Sequence, residues 1–249
     1  MYPFRITSVS NREELVRFLL MKLPTAQYDE PFVKCRISIN HISKVVAEYI
    51  WDYAIIRKIK YYLIQSNIFE KEDRYVIFKK IIDIASCIRS QPDIIEDSLQ
   101  EYFRNHRTIS VDGFLNFRLR ELICRIKSLA DMCISEYLAE KEYEEYIELL
   151  KNFVKQQKSE YREVHIVTEE DGQHRIYNEE GVDITLKCLE GFVDSNMAIN
   201  ASLDDLMVTT LIAVAPNRII MHNENKSNNP ELVETIKGVF AGRIIISNN

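Results

Sequence analysis

The sequence predicts a mainly helical α+β protein, and three observations support this fold class. Before residue 158, long segments carry apolar residues every three or four positions, which is the period of an amphipathic helix. After residue 158, shorter segments alternate apolar and polar residues, as strands do. Glycine is scarce: the chain contains 6 glycines, whereas average usage in a chain of this length would give roughly 17. Tight turns and glycine-rich ligand loops should therefore be few.

The predicted organisation has three segments. Residues 1–40 form a small N-terminal β-α-β unit, residues 41–158 form a central helical bundle with long helices, and residues 159–249 form a C-terminal α/β portion with a mixed sheet. The pattern leaves open whether the N-terminal unit joins the C-terminal sheet.

Composition limits the location and the broad class of the protein. A net charge of -6 and a pI near 5.5 argue against a surface that binds nucleic acid or anionic lipid throughout, but leave room for a local basic face. The N-terminus has no secretory signal pattern, and the longest apolar run, residues 206–215, is shorter than the roughly 20 residues that span a membrane. We therefore predict a cytoplasmic protein without a transmembrane segment.

The cysteines fit the same location. They are odd in number and include no close C-x-x-C pair, which indicates neither a disulfide framework nor a zinc site. They are Cys35, Cys87, Cys124, Cys133 and Cys188. We expect reduced thiols.

The N-terminal half predicts several elements in order. Residues 4–9 form a strand, a helix runs from Ser10-Asn11 to Pro24, and residues 32–39 form a second strand. A helix then covers residues 41–65, followed by helices at 73–89 and 92–103. The helix at residues 92–103 starts at Pro92, and a proline is favourable in the first turn of a helix.

The helix at residues 41–65 is apolar on one side and mixed on the other. The mixed side carries Lys44, Trp51, Ile55, Lys58 and Tyr62. Helices that are apolar all round are usually buried, so the helix is predicted to be sandwiched inside the protein. The alternative is a basic, aromatic face that meets a partner or an anionic membrane surface.

The strongest helical pattern runs from residue 108 to 157. Its apolar stripe is Leu115, Leu119, Leu122, Ile126, Leu129 and Cys133. Positive charge is concentrated at residues 118–127 and negative charge at 136–148, so a turn near residues 139–142 would pair two antiparallel helices. The pattern leaves open whether one helix or two form. The functional alternative is that Asn116, Arg118 and Arg120 bind a phosphate or a partner's carboxylate.

The C-terminal portion predicts a hairpin and then a parallel unit. Residues 163–168 and 173–178 are strands around an Asp171-Gly172 turn. A helix capped by Ser202 runs to residue 215, and strand 218–222, helix 229–240 and strand 243–247 follow as a parallel unit.

Few residues of this portion suggest chemistry. His165 and His174 are expected on one sheet surface, but no third ligand has suitable spacing for a metal. The loop at residues 223–229 occupies a position where α/β units bind ligands, yet it lacks the G-K-[ST] of a nucleotide cradle. The sequence predicts no catalytic residue, no metal and no cofactor.

Several segments resemble a known family in the same order. They are Phe114–Arg120, Glu136–Tyr143, Tyr146–Leu150, Val164–Val167, Tyr177–Gly181 and Ala215–Ile219. These motifs resemble the YtxC-like sporulation proteins of endospore-forming bacteria. Arg120 stands where the family's tract has a lysine, which keeps the charge and changes the donor geometry. The resemblance implies a cytoplasmic bacterial protein with a role in sporulation, and it supplies no catalytic residues or cofactor.

The sequence therefore favours a non-enzymatic protein that acts through a protein partner or self-association, with Arg118 and Arg120 as candidate binding residues. One alternative is a local nucleic-acid-binding module built from Lys44, Lys58, Arg118 and Arg120. The other is an undescribed enzyme that uses the C-terminal α/β loops.

Overall fold

The protein is mainly helical, with two four-stranded mixed sheets. The computed structural model describes residues 3–66, 70–89, 94–185 and 203–247. Contacts divide the chain into two compact units, residues 1–138 and 139–249. The predicted fold class is confirmed. The predicted division into segments 1–40, 41–158 and 159–249 stays a prediction about domains.

The first unit combines a small sheet with most of the helices. Its strands are β1 (Phe4–Thr7), β2 (Gln27–Asp29), β3 (Phe32–Cys35) and β4 (Thr108–Ser110). Its helices are α1 (Arg12–Lys22), α2 (Ile39–Tyr49), α3 (Ile56–Gln65), α4 (Lys71–Arg89), α5 (Ile94–Asn105), α6 (Val111–Phe117) and the first part of α7 (Arg120–Gln156). A π-helical turn at Ile50–Ile55 joins α2 to α3.

The sheet of the first unit has the order β2-β3-β1-β4, with β1 antiparallel to β3 and parallel to β4. The helical pattern that starts at residue 108 does not predict a strand there, so β4 is an addition. The short strand begins at Thr108 and ends where Ser110 caps α6, since the serine hydroxyl accepts a hydrogen bond from the Gly113 amide at 3.4 Å. The N-terminal strands therefore belong to a sheet that a later part of the chain completes.

The core of the first unit lies between this sheet and the helices. Phe4 of β1 meets Phe103 of α5 edge to face, with ring centroids 5.1 Å apart, and both side chains are fully buried. Both sides of the helix at residues 41–65 contribute to this core, with Val46 and Tyr49 on the apolar side and Trp51 and Ile55 on the mixed side. The prediction of a sandwiched helix is confirmed for Trp51 and Ile55, whereas Lys44 and Lys58 of the same side are exposed.

The idea of two antiparallel helices around residues 139–142 is wrong. Helix α7 runs without interruption from Arg120 to Gln156, and the break lies instead at Arg118 and Leu119, between α6 and α7. Residues 136–148 include no glycine or proline, and a change of charge sign alone does not end a helix. The charges pair differently, for example Arg125 with Glu121 one turn away at 2.7 Å.

The second unit contains β5 (Glu163–Thr168), β6 (His174–Asn178), α8 (Leu203–Val214), β7 (Arg218–His222), α9 (Pro230–Val239) and β8 (Ile244–Ser247). Its sheet has the order β6-β5-β7-β8, with β5 antiparallel to β6 and parallel to β7, and β7 parallel to β8. The predicted hairpin and parallel unit are confirmed. The two sheets are separate, so the N-terminal strands do not join the C-terminal sheet.

One face of this second sheet forms the core of its unit. Val164, Ile166, Ile219 and Met221 are fully or almost fully buried, and Ile147 from α7 belongs to the same cluster. Asn229 caps α9, with its side-chain oxygen accepting a hydrogen bond from the Leu232 amide at 3.2 Å. The predicted roles of Pro92 and Ser202 fall outside the described residues. Among the described helices, none is long and apolar enough to cross a membrane.

Candidate functional site

A cleft with a volume of about 560 Å³ opens in the first unit. The π-helical turn and α3 form one wall, and α6 and α7 form the other, while Ser10 and Asn11 also line the cleft. This volume is in the range of small-molecule sites, roughly 300 to 1,000 Å³.

The floor of the cleft is apolar. Its most buried members are Ala54, Ile55, Ile59, Leu115, Ile126 and Ala130. On each wall these residues recur four positions apart, as Ile55 and Ile59 do on one side and Ile126 and Ala130 on the other, so each helix turns one narrow stripe toward the cleft.

Two ammonium groups lie on opposite walls of the cleft. Lys58 donates a hydrogen bond to the side-chain oxygen of Asn116 at 3.2 Å. Lys127 lies over the ring of Tyr62, with Nζ 5.3 Å from the ring centroid. The hydroxyl of Tyr62 donates to Asp131, and this bond raises the pKa of the tyrosine. Each lysine therefore faces a neutral group.

Arg57, the third cation that lines the cleft, forms an ion pair with a carboxylate. Arg57 pairs with Glu14, which also accepts a hydrogen bond from the hydroxyl of Tyr49 at 3.3 Å. Burial lowers the pKa of Arg57, but the hydrogen bonds with Glu14 and Tyr49 outweigh it, so the net shift is upward. Burial also raises the pKa of Tyr49 to about 12, so this phenol stays protonated and donates.

The carboxylate of the cleft is likewise held by its own neighbours. Asp112 accepts hydrogen bonds from the Val9 amide and the Ser10 hydroxyl, both at 2.6 Å. Burial alone would raise the pKa of Asp112, but these hydrogen bonds outweigh it and lower the pKa. Within residues 3–66, 70–89, 94–185 and 203–247, Lys58 and Lys127 are then the cleft cations that pair with no carboxylate.

The structure separates the residues that the sequence grouped as a binding face. Arg118 and Arg120 are exposed at the junction of α6 and α7 and do not line the cleft, whereas Asn116 does. Lys44 is exposed on α2, and Lys58 is part of the cleft. Phosphate or nucleic-acid binding by Arg118 and Arg120 stays a prediction.

The sequence places Lys127 in the run of positive charge at residues 118–127. That Lys127 lines a cleft was not predicted. The stripe at Ile123, Ile126, Lys127 and Ala130 has a clear helical period. The packing of this stripe against α3 depends on the break at residues 118–119 and on the π-helical turn. Neither segment contains a glycine or proline, so the sequence has no signal for either feature.

The second unit contains a histidine pair, but it differs from the predicted one. His165 and His174 lie on opposite faces of the sheet, because His165 opposes Tyr177 while His174 opposes Thr168, and alternate residues point to opposite sides. Nε2 of His174 instead meets the Ser227 hydroxyl at 2.9 Å. The expectation of one shared surface is wrong.

His165 pairs with His222 of the neighbouring parallel strand. Their Nδ1 and Nε2 atoms are 3.0 Å apart, and the rings are stacked with centroids 5.3 Å apart. Glu163 lies 3.4 Å from Nε2 of His165. Burial, and then the charge of His165, lower the pKa of His222. Among the described residues, no group of three or more metal-ligating side chains occurs.

The loop at residues 223–229 packs against the hairpin. The side-chain amide of Asn228 donates to the Asp171 carbonyl at 2.7 Å, and Asn229 occupies the N-terminus of α9 as its cap. These bonds give the loop a structural role in joining β7 to α9.

The part of α7 in the second unit carries exposed apolar side chains. Tyr146 is 54% exposed, Leu149 65% and Phe153 48%. Tyr146 also borders a depression of about 430 Å³ whose apolar members include Val208 and Leu232. We call Tyr146, Leu149 and Phe153 the α7 stripe.

Most of the chain matches one known protein family. Residues 40–245 match the model of the YtxC-like family. The chain belongs to this family. A YtxC-like relative, the Uncharacterized protein YtxC of Bacillus subtilis (strain 168), is 24% identical over 157 residues, which is 62% of this chain and 54% of the relative. The match thus spans about half the length of that relative. No solved structure matches.

Proposed function

We propose that this YtxC-like protein is a cytoplasmic, non-catalytic protein that acts in sporulation by binding a protein partner through the α7 stripe. The observation that carries the proposal is the exposure of three large apolar side chains on one side of a single helix. Contiguous apolar surface of this kind is typical of protein interaction sites.

Helical geometry places the stripe on one narrow face. At 100° per residue, Phe153 lies about 20° and Leu149 about 60° from Tyr146 around the helix axis. The side chains that α7 buries in the second unit, Ile147 and Val154, are on a different face. A partner helix laid along the stripe would cover all three exposed side chains at once.

Charge indicates what kind of partner fits. Glu142 lies within the angular range of the stripe and Glu145 lies at its edge, and both are exposed. A second copy of this chain would bring the same carboxylates against them, which like-charge repulsion disfavours. The complementary partner is an amphipathic segment with basic residues beside its apolar face.

The role in sporulation is supported by the motifs that place the chain among the YtxC-like proteins. Two of those motifs, Glu136–Tyr143 and Tyr146–Leu150, lie on α7, and they include Tyr146 and Leu149. The proposed docking surface and the sequence resemblance therefore involve the same helix.

Binding of model peptides tests the docking surface. The probe is a synthetic helical peptide with leucines on one face and lysines beside them, and its control has glutamates in place of the lysines. We expect the full chain to bind the lysine peptide, and Leu149→Ser/Phe153→Ser to weaken that binding at least tenfold, since about 1.5 to 3 kcal/mol accompanies each buried side chain.

The matched control is Tyr75→Ser/Val76→Ser, which removes two apolar side chains of similar exposure from α4. This control should bind like the wild type. Equal affinity for the lysine and glutamate peptides, or an equal loss in both double variants, would contradict the docking proposal.

A genetic experiment tests the process. Deleting the gene in the source bacterium should lower the count of heat-resistant spores, and the Tyr75→Ser/Val76→Ser variant should restore the count where Leu149→Ser/Phe153→Ser does not. Normal spore counts in the deletion strain would remove the sporulation role and leave the peptide result standing.

A further inference from the structure

We infer that the cleft of the first unit is a binding site for a small amphipathic anion. Its apolar body would lie on the floor of the cleft, and its carboxylate or phosphate would be taken by the ammonium groups of Lys58 and Lys127. The cleft shares no residue with the α7 stripe, so this inference and the proposed function can fail separately.

The floor argues for an apolar body. Ile55 and Ile59 are 1% and 2% exposed, and Ile126 is 4% exposed, although all three line an open cleft. All three side chains are aliphatic, so the floor offers methyl and methylene groups rather than polar partners. A hydrocarbon chain would displace water from this surface without leaving buried polar atoms unpaired.

The polar groups of the cleft argue for a negative charge on the ligand. Asp112 is held by Val9 and Ser10, and Arg57 is held by Glu14, so these charges are already compensated within the protein. Lys58 and Lys127 have a neutral amide and a neutral ring as partners. An anion offers each ammonium group a charge-assisted hydrogen bond, which is stronger than a hydrogen bond to a neutral amide.

The two lysines can reach a ligand head group without a change in the fold. Both side chains are exposed. Each lysine is adjacent in sequence to a residue of the floor, Lys58 to Ile59 on α3 and Lys127 to Ile126 on α7. Long lysine side chains keep the charged group at the water boundary while the stem covers apolar surface. This arrangement suits a ligand with its head at the mouth and its chain inside.

The π-helical turn supports the assignment of a site. It supplies Ala54 and Ile55 to the floor. Such turns are rare and are often found at functional sites, because the additional residue changes which side chains face a cavity.

Titration calorimetry on the full chain tests the inference with four named probes. Decanoate and decyl phosphate have the required chain and anion, decylammonium has the same chain with a positive charge, and butyrate has the anion without the chain. At concentrations below aggregation of the probes, we expect one-to-one binding of decanoate or decyl phosphate, at least tenfold tighter than decylammonium or butyrate.

The tighter of the two anionic probes identifies the head group as a carboxylate or a phosphate. Absence of binding by both would overturn the inference. Equal binding of decylammonium would overturn the role of charge, and equal binding of butyrate would overturn the role of the floor.

Variants locate the binding. Lys58→Met/Lys127→Met keeps the side-chain length, removes both charges at exposed positions and should weaken decanoate and decyl phosphate at least tenfold. The matched control Lys44→Met/Lys60→Met removes two exposed lysines of α2 and α3 that do not line the cleft, and it should bind as the wild type does. An equal loss in both double variants would assign the effect to net charge and overturn the site.

A second variant reports on the floor. Ala130→Leu places additional volume at a buried position of the cleft and should reduce the affinity for decanoate in protein whose urea unfolding shows it to be folded. If Ala130→Leu does not fold, the lysine variants still decide the result.

Discussion

At the residue scale, the pair of His165 and His222 is expected to make the stability of the second unit depend on pH. Burial and the neighbouring charge of His165 lower the pKa of His222 in the folded protein from its ordinary value of 6.5. Tyr177 and Glu179 line the same hollow as the two histidines, and Glu163 beside His165 forms an ion pair with Arg218 at 3.2 Å. Below pH 6.5 the unfolded chain therefore binds a proton at His222 that the folded protein binds only at lower pH.

The sign of this effect is a loss of stability on acidification. We predict that the free energy of unfolding falls as the pH decreases from about 7.5 to about 5.5, and that His222→Gln reduces this fall. Urea unfolding at both pH values measures it. His41→Gln, at an exposed histidine of α2, serves as the control and should keep the wild-type slope. The same slope in His222→Gln would contradict the prediction.

Two features favour glycine at position 172 in the β5–β6 hairpin, the left-handed backbone conformation and the close approach of Asn228. The φ of Gly172 is +80°, and a Cβ at this position would lie 2.1 Å from Nδ2 of Asn228. We predict that Gly172→Ala destabilises the protein by about 1 to 3 kcal/mol, because the left-handed conformation and the displaced amide both carry a cost.

Gly181 separates these two causes. Its φ is +76°, but nothing lies within 4 Å of its would-be Cβ, so Gly181→Ala has the backbone cost alone. Urea unfolding should show the larger loss for Gly172→Ala. If the two variants lose the same stability, contact with Asn228 has no energetic role.

At the element scale, regular periodic segments were predictable and their junctions were not. Strand β7 has the predicted bounds because a short apolar run lies between the turn residues Pro216-Asn217 and Asn223. The π-helical turn at Ile50–Ile55 was not predictable, since its residues also suit an α-helix. Strand β4 is three residues long and exists only because β1 pairs with it, so no local pattern marks it.

The candidate site shows the same division. Ile55, Lys58 and Tyr62 were recognised as one face of a helix, and all three line the cleft. Lys127 and Ile126 come from α7, far along the chain, and their approach to α3 is a tertiary contact. A single sequence contains the stripes but does not state which stripes meet.

The continuity of α7 can be tested at residue 139. We predict that Ala139→Pro destabilises the protein by about 3 kcal/mol or more, because proline in a helix interior removes a hydrogen bond and clashes with the preceding turn. Circular dichroism and urea unfolding measure the loss, and Ala139→Ser should change both only slightly. A turn at residues 139–142 would tolerate proline, so wild-type stability of Ala139→Pro would contradict the continuous helix.

At the scale of the whole molecule, each unit has its own hydrophobic cluster. The first cluster contains Ile6 and Phe103 and the second contains Ile219 and Phe240, and the two clusters have no residue in common. Each sheet contributes one buried face to the cluster of its own unit. The stability of the chain is therefore expected to have two local parts.

Paired substitutions in the two sheets test this expectation. Ile219 of β7 and Ile6 of β1 are both fully buried, and each change to alanine should cost about 2 to 5 kcal/mol. In hydrogen exchange, Ile219→Ala should reduce the protection of amides in β5, β7 and β8 more than in α2 and α5, and Ile6→Ala should do the reverse. Equal loss of protection in both sets by either variant would show that the two clusters unfold as one cooperative structure.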